Sequence, residues 1–185
     1  MDDLRIIELY LSRSEDAIAE TDLKYGKLCR YVAMNILSNN EDSEECVNDT
    51  YFGAWNIIPP QKPNRFSAFI SRITRNLALK KYEYASAAKR NPEVLVSLEE
   101  LDECVSGRDT IETELENKRV EKAISDFLWQ QDIEKRTVFI RRYWYFEPIN
   151  SICRRYGFSQ SKTISMLYHT RQKLKQHLES EGIEL

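Results

Sequence analysis

Two clusters of basic and aromatic side chains are the part of this sequence best suited to binding a polyanion. Residues 62–90 carry eight basic side chains and one acidic side chain, and residues 134–177 carry ten basic and two acidic ones. The neighbouring segments are acidic, so the 185-residue chain has a net charge of only −3. Two cationic segments of helical length predict two contacts with nucleic acid, and charged faces that only meet solvent are the alternative.

The first cluster has the composition that single-stranded nucleic acid requires. An aromatic and proline-rich loop from Trp55 leads into a basic helix in which Tyr82 and Tyr84 alternate with lysines. Cations attract the phosphate backbone, and each base stacked on an aromatic ring contributes about 1–3 kcal/mol. A core position for Trp55 is the alternative, whereas Phe66 and Phe69 are predicted to be core residues.

The second cluster has the pattern of a helix-turn-helix. Pro148 precedes a short helix with the small residue Cys153, Gly157 can supply a left-handed turn, and Ser159 can cap the next helix. The apolar stripe of that helix is Thr163, Leu167, Thr170, Leu174 and Leu178. The outward face is then Gln160, Ser161, Ile164, Ser165, Tyr168, Arg171 and Lys175, which suits base edges and phosphates. A plain helical hairpin with a basic surface is the alternative.

An enzyme is not predicted from this inventory. The sequence has no glycine-rich phosphate loop, no HExxH pair and no nucleophile elbow. His169 and His177 lie two turns apart on one helix without an acidic or metal-binding set, so surface or DNA-facing roles are favoured. The four cysteines form no CxxC pair and are interpreted as reduced, mostly buried thiols. No catalytic residue, metal or cofactor is predicted.

Periodicity and composition predict an all-α fold. Apolar residues at helical spacing predict helices from Asp16 to Leu37, from a capping box at Asp42 and Glu45 to near Trp55, and onward from Arg65. We predict two small helical domains, residues 1–90 and 112–185, joined by a flexible acidic linker over residues 91–111. No secretory signal and no apolar run long enough to span a bilayer is apparent, so a cytoplasmic protein without membrane contact is predicted.

Three sequence segments resemble the sigma factors of bacterial RNA polymerase. NEDSEECVNDTY at residues 40–51, followed by Ala54-Trp55, resembles region 2.2 of the sigma-70 family, and FISRITRNLA at residues 69–78 resembles the helix that follows it. Residues 142–174 are similar to region 4. The resemblance covers about residues 15–90 and 112–182, and it is to the small extracytoplasmic-function type, group IV.

The resemblance implies a transcription initiation factor that binds core RNA polymerase and promoter DNA, with an anti-sigma factor as a further possible partner. Asn48 and Asp49 would contact core polymerase. The residues that would capture the melted −10 element are Asn56, Arg65, Arg72, Arg75, Asn76, Lys80 and Lys81. Those that would read the −35 element as duplex are Gln160, Ser161, Lys162, Ser165, Tyr168, His169, Arg171 and Lys175.

The chain also departs from the family pattern. Lys80 and Glu83 stand where Asp and Arg are frequent, and Ile164 and His169 occupy positions that are often basic. Two alternative functions stay open: a helix-turn-helix regulator that binds duplex DNA without polymerase, and a sigma-like protein that acts mainly through protein contacts. A metal-dependent hydrolase is a more distant third.

Overall fold

A computed structural model describes residues 1–85, 90–105 and 114–183 of the chain. These residues form helices, turns and loops, and no strand occurs among them, so the all-α fold class is confirmed. Backbone contacts divide the chain into two compact helical units, Met1–Asn91 and Pro92–Leu185. Within the described ranges, no helix is long and apolar enough to cross a membrane.

The first unit is a bundle in which α2, α3 and α4 pack on one another and α1 packs on α2. Its helices are α1 (Asp3–Leu11), α2 (Asp16–Leu37), α3 (Asn40–Ile57) and α4 (Phe66–Tyr84). The predicted bounds of α2 are confirmed. Helix α1 was not predicted from the sequence. It begins where the Asp2 carboxylate accepts a hydrogen bond from the Arg5 amide at 2.8 Å.

The start of α3 differs from the predicted capping box at Asp42 and Glu45. Asn39 is the N-cap, and its side-chain oxygen accepts a hydrogen bond from the Asp42 amide at 2.9 Å. Asn is among the strongest N-cap residues, and its amide oxygen satisfies a backbone donor that the first turn leaves unpaired. Glu45 is therefore available to α4, where it forms an ion pair with Lys81.

An aromatic cluster forms the centre of the first unit. Phe66 is fully buried, and its ring centroid lies 5.9 Å from that of Tyr10, 5.7 Å from that of Tyr25 and 6.2 Å from that of Phe69. Rings at this separation pack favourably edge to face or offset. Trp55 is half-buried against Tyr10, so its ring belongs largely to this core. The core positions predicted for Phe66 and Phe69 are confirmed.

The second unit consists of helices around a separate apolar core. They are α5 (Pro92–Val105), α6 (Glu114–Gln130), α7 (Ile133–Phe139) with a π-helical turn at Ile140–Trp144, α8 (Ile149–Tyr156) and α9 (Gln160–Ser180). The core includes Phe127, Phe139, Tyr143, Ile152, Leu167, Leu174 and Leu178. The two helices α6 and α7 pack on α9, as does α8.

The predicted linker over residues 91–111 is wrong for residues 92–105, because these residues form α5. Val94 and Ser97 are buried and Leu101 is half-buried, at the spacing of one helix face. The acidic residues between them obscured this period in the sequence. Helix α5 packs on α9 and on the π-helical turn, so it belongs to the second unit. The remaining linker residues 106–111 lie outside the described residues.

The thiols of the first unit make its stability sensitive to alkaline pH. Cys29 and Cys46 are buried and free; burial raises the pKa of both, and burial together with the Asp49 carboxylate brings that of Cys46 to about 12. Above about pH 8.5 the unfolded chain loses these protons and the folded chain keeps them. The free energy of unfolding of the first unit should therefore fall as pH rises from about 8.5.

Urea unfolding between pH 7.5 and 11 measures this slope. Cys46→Ala should make it shallower, and Cys153→Ala, which changes a thiol of the other unit, should leave it unchanged. An identical slope in wild type and Cys46→Ala would contradict a buried neutral thiol at Cys46.

Candidate nucleic-acid interfaces

One face of α4 presents the exposed polar groups predicted for nucleic acid. Arg72, Asn76 and Lys80 follow one another at intervals of four residues and are all exposed. Residues four apart lie on the same face of a helix, so the three side chains form a continuous polar stripe. Arg65, immediately before the helix, and Asn56, near the end of α3, are exposed as well. This cationic stripe can contact a phosphate backbone.

Two of the predicted cations do not belong to this stripe. Arg75 is half-buried, and burial lowers the pKa of its guanidinium. Lys81 lies 3.0 Å from a carboxylate oxygen of Asp42 and also forms an ion pair with Glu45. Partial burial by itself would lower the pKa of Lys81, but hydrogen bonds to these two carboxylates raise it. Its charge joins α4 to α3, because both acidic partners lie on α3.

The aromatic residues near α4 divide between core and surface. Trp55 is half-buried, and the Arg13 guanidinium lies 5.2 Å from its ring centroid. Tyr82 is buried, and its hydroxyl donates to the Asn91 carbonyl oxygen at 3.3 Å. Tyr84, at the end of α4, is 80% exposed. Of these three rings, Tyr84 is the one with a face accessible for stacking.

A groove between α2 and α3 adjoins the predicted polymerase contacts. Asn48 and Asp49 are exposed on α3, and Asn48 lines the groove together with Phe52 and Asp22. Phe52 is 67% exposed, which is unusual for a phenylalanine in a helix that also has a buried face. Phe52 was not predicted from the sequence as a functional residue. It lies off the apolar stripe of Val47, Thr50, Tyr51 and Ala54, so its position on the exposed face of the helix was predictable.

Arg30 reinforces the wall of this groove. Its guanidinium lies 3.2 Å from a carboxylate oxygen of Asp22 and 3.0 Å from one of Glu44, so it joins α2 to α3. The Tyr51 hydroxyl donates to Asp22 at 2.7 Å, and burial, followed by this carboxylate, raises the pKa of Tyr51. The groove therefore has a hydrogen-bonded polar edge beside the exposed Phe52 ring.

The junction of α8 and α9 has the predicted tight turn. Gly157 adopts a left-handed conformation with φ of 68°, which glycine tolerates without strain. Ser159 caps α9, because its hydroxyl accepts a hydrogen bond from the Lys162 amide at 3.2 Å. The Cys153 sulfur lies 3.2 Å from the Thr163 hydroxyl, so the two helices approach closely at this pair of small residues.

The exposed face of α9 contains most of the residues predicted there. Gln160, Ser161, Ile164, Ser165, Tyr168 and His169 are exposed, and Thr163, Leu167, Thr170, Leu174 and Leu178 are buried as predicted. Lys162 is exposed, but its ammonium lies 3.1 Å from a Glu134 carboxylate oxygen and 3.9 Å from the Phe158 ring centroid. Lys175 is half-buried.

Arg171 does not lie on the outward face, and its predicted position there is wrong. The residue is only 9% exposed, and its guanidinium donates to the Tyr143 hydroxyl at 2.6 Å. A carboxylate oxygen of Glu100 lies 3.7 Å from the same nitrogen. Leu167, Arg171 and Leu174 are spaced by four and three residues, so they share the inner face of α9. Arg171 thus stabilises the packing of α9 rather than facing solvent.

A polar network beneath α5 surrounds a second buried arginine. Arg142 is 1% exposed, and its guanidinium lies 2.8 Å from a Glu93 oxygen and 3.4 Å from a Glu100 oxygen. Tyr143 donates to Glu100 at 2.9 Å, and burial with this neighbouring carboxylate raises the pKa of Tyr143. Sequence reasoning missed this network, because its partners are more than 40 residues apart along the chain.

The comparison with protein families bears on the first unit. Residues 23–87 match the family model for sigma-70 region 2. The match begins within α2 and includes α3 and α4, and thus the exposed stripe of Arg72, Asn76 and Lys80. The first unit is therefore similar to sigma-70 region 2 over these residues. A comparison with curated proteins finds no significant match.

Proposed function

We propose that the chain is a sigma factor of the extracytoplasmic-function type, a cytoplasmic protein that binds core RNA polymerase and directs transcription initiation without performing chemistry itself. The observation that carries the proposal is the region 2 match over residues 23–87, which coincides with a helical bundle that has an exposed polar stripe on α4. The resemblance of residues 142–174 to region 4, which lies outside the matched range, supports the same function.

The −10 element would contact the exposed face of α4 in this proposal. Asn56, Arg65, Arg72, Asn76 and Lys80 provide hydrogen bonds and positive charge for the backbone of a melted strand. The exposed ring of Tyr84 provides a stacking surface near one end of this stripe. Arg75 and Lys81 would support the contact from within the unit, because the first is half-buried and the second is paired with α3.

Core polymerase would dock on α3 and the adjoining groove. Asn48 and Asp49 offer polar contacts, and the exposed ring of Phe52 offers an apolar anchor beside them. Buried aromatic anchors surrounded by polar contacts account for much of the binding free energy in protein interfaces. We therefore add Phe52 to the residues proposed to contact polymerase.

The −35 element would be read as duplex by the α8–α9 pair acting as a helix-turn-helix. Gln160, Ser161, Ser165, Tyr168 and His169 face solvent along α9, with Lys162 and Lys175 beside them. The amides of the first turn of α9 favour a phosphate, and the exposed side chains suit a major groove. Arg171 is excluded from this set, because it lies beneath the helix.

The two units would act together through their covalent connection. Each would contact a different form of promoter DNA, melted for the first unit and double-stranded for the second. A tether raises the effective concentration of the second contact once the first has formed, so two weak contacts can give specific binding. An anti-sigma factor that covers either surface is a further proposed partner.

Charge reversal on α3 tests polymerase binding. Asp49→Lys should weaken the affinity of the full chain for core polymerase by about tenfold or more, because a reversed charge in an interface is repelled by the groups that complemented it. Asp126→Lys, the same change at an exposed position of α6, is the matched control and should leave affinity unchanged. Fluorescence titration of labelled full-length chain with core polymerase measures both.

The same assembly distinguishes the proposed function from the alternatives. A sigma factor should form a holoenzyme with core polymerase and start transcription at specific sites on genomic fragments. Specific duplex binding without holoenzyme formation would instead indicate a helix-turn-helix regulator. Polymerase binding without any promoter-dependent initiation would indicate a sigma-like protein that acts through protein contacts.

A further inference from the structure

The outward face of α9 contains a stripe that is uncharged. Gln160, Ile164 and Tyr168 follow one another at intervals of four residues, so they lie along a single line on the helix. Ile164 is 47% exposed and Tyr168 is 50% exposed. Ser161 and Ser165 border the stripe and are also exposed. An amide, an aliphatic side chain and a phenol therefore lie on the face with which a recognition helix contacts DNA.

The cations of α8 and α9 lie outside this stripe. Lys162 is engaged with Glu134, and Arg171 is buried against Tyr143. Arg154 and Lys173 are exposed. Over residues 149–180 six side chains are basic and one, Glu179, is acidic. This charge favours a polyanion as the occupant of the face, with the peripheral cations contacting phosphates and the uncharged stripe contacting bases.

The chemistry of the stripe indicates which bases it meets. In the major groove the C5 methyl of thymine is the apolar group that a base pair presents, and it is contacted by aliphatic side chains. Glutamine pairs bidentately with adenine, whereas guanine is read mainly by Arg or Lys. An isoleucine bordered by serines, with a glutamine one turn before it, fits A·T pairs, and the stripe lacks the Arg or Lys side chain that most often reads guanine.

We propose that Ile164 is a specificity-determining residue that selects thymine in the duplex element read by α9, through contact with the thymine C5 methyl. Gln160, one turn earlier, contacts an adjacent adenine. The inference rests on the proposed function, because it names the base composition that the second unit reads. The upstream element is therefore expected to contain adjacent A·T pairs rather than a run of guanines.

Replacing thymine by uracil tests the inference, because it removes the C5 methyl and keeps every hydrogen-bonding group. A promoter fragment is first selected from a randomised duplex library by holoenzyme assembled from the full chain and core polymerase. Thymines of its upstream duplex element are then replaced one at a time by uracil, with the melted region unchanged. Wild-type holoenzyme should lose affinity roughly fourfold at the contacted thymine, the factor that burial of one CH₂ group gives.

Two variants identify the side chain responsible. Ile164→Ala should bind the thymine and uracil fragments equally, because the contact to the methyl is then absent. Ile133→Ala, the same change at an exposed position of α7, is the matched control and should keep the wild-type preference. Binding of both variants to core polymerase is measured alongside, so that a change in DNA affinity is separated from a change in assembly.

The outcomes separate this inference from the proposed function. If holoenzyme selects no fragment, the sigma factor function fails and the inference fails with it. If a fragment is selected but uracil has no effect on wild type, or if Ile164→Ala keeps the full thymine preference, only the assignment of Ile164 is overturned. Weaker polymerase assembly by Ile164→Ala with unchanged DNA preference would instead place a protein partner on this face.

Discussion

Phe66→Ala should lower the free energy of unfolding of the first unit by about 3–5 kcal/mol. Phe66 is fully buried at the first residue of α4, and its ring packs against Tyr10 of α1, Tyr25 of α2 and Phe69 of α4. Removal of the ring leaves a cavity among three other aromatic rings, which cannot collapse without moving three helices. A loss of this size is a large part of the roughly 5–15 kcal/mol that stabilises a typical domain.

Urea unfolding of the full chain, followed by fluorescence, measures this change through Trp55, which lies in the same cluster. Phe52→Ala is the matched control, because it removes the same ring from an exposed position on α3. It should change stability by no more than about 0.5 kcal/mol. Equal losses for the two variants would show that Phe66 does not form the centre of the unit.

The control has a second use, because Phe52 is proposed to contact polymerase. Phe52→Ala should weaken the affinity for core polymerase while the unit remains folded, as expected of an exposed aromatic anchor. Phe66→Ala should affect polymerase binding only to the extent that it unfolds the unit. Comparison of the two variants therefore separates a surface role from a structural one.

Glu100→Gln should lower the free energy of unfolding of the second unit by about 2–3 kcal/mol. Glu100 accepts a hydrogen bond from Tyr143 and lies within ion-pair distance of Arg142 and Arg171. Glutamine keeps the shape but removes the negative charge, so the almost fully buried Arg142 retains only Glu93 as an acidic partner among the described ion pairs. A buried cation that loses a counter-charge is costly, because water does not reach it.

Hydrogen exchange of the α9 amides in the full chain measures this loss, with the α2 amides of the other unit as an internal reference. Glu99→Gln changes the adjacent but exposed carboxylate and is the matched control. Its effect should be small, since charges that face solvent contribute little to stability. If both variants left the protection of α9 unchanged, α5 would not be a stabilising part of the second unit.

Local features of the fold were predictable from the sequence. The bounds of α2, the turn at Gly157 and the cap at Ser159 follow from hydrophobic period and from the conformational preferences of single residues. These signals act over a few neighbouring positions, so a short window of sequence contains them. The buried stripe of α9 was predictable for the same reason, and the exposed positions Arg72, Asn76 and Lys80 follow from the stripe of α4.

The misplaced positions share a different physical cause. Arg171, Lys81 and α5 each depend on charged partners that lie far away along the chain. Arg171 meets Tyr143 and Glu100, and Lys81 meets Asp42 and Glu45. A basic side chain on a helix is predicted to face solvent unless its counter-charge is known, and no local sequence pattern identifies that partner.

The sequence by itself determined that this chain is helical, that it has two cationic segments, and that one of them contains a tight glycine turn between two helices. Tertiary structure decided which cations remain available to a ligand. The reason is that helix period depends on neighbouring residues, whereas the exposure of an arginine depends on which carboxylates the folded chain brings next to it. In this protein the acidic residues of α5 form ion pairs with Arg142 and Arg171, and these two cations are therefore buried rather than available to a ligand.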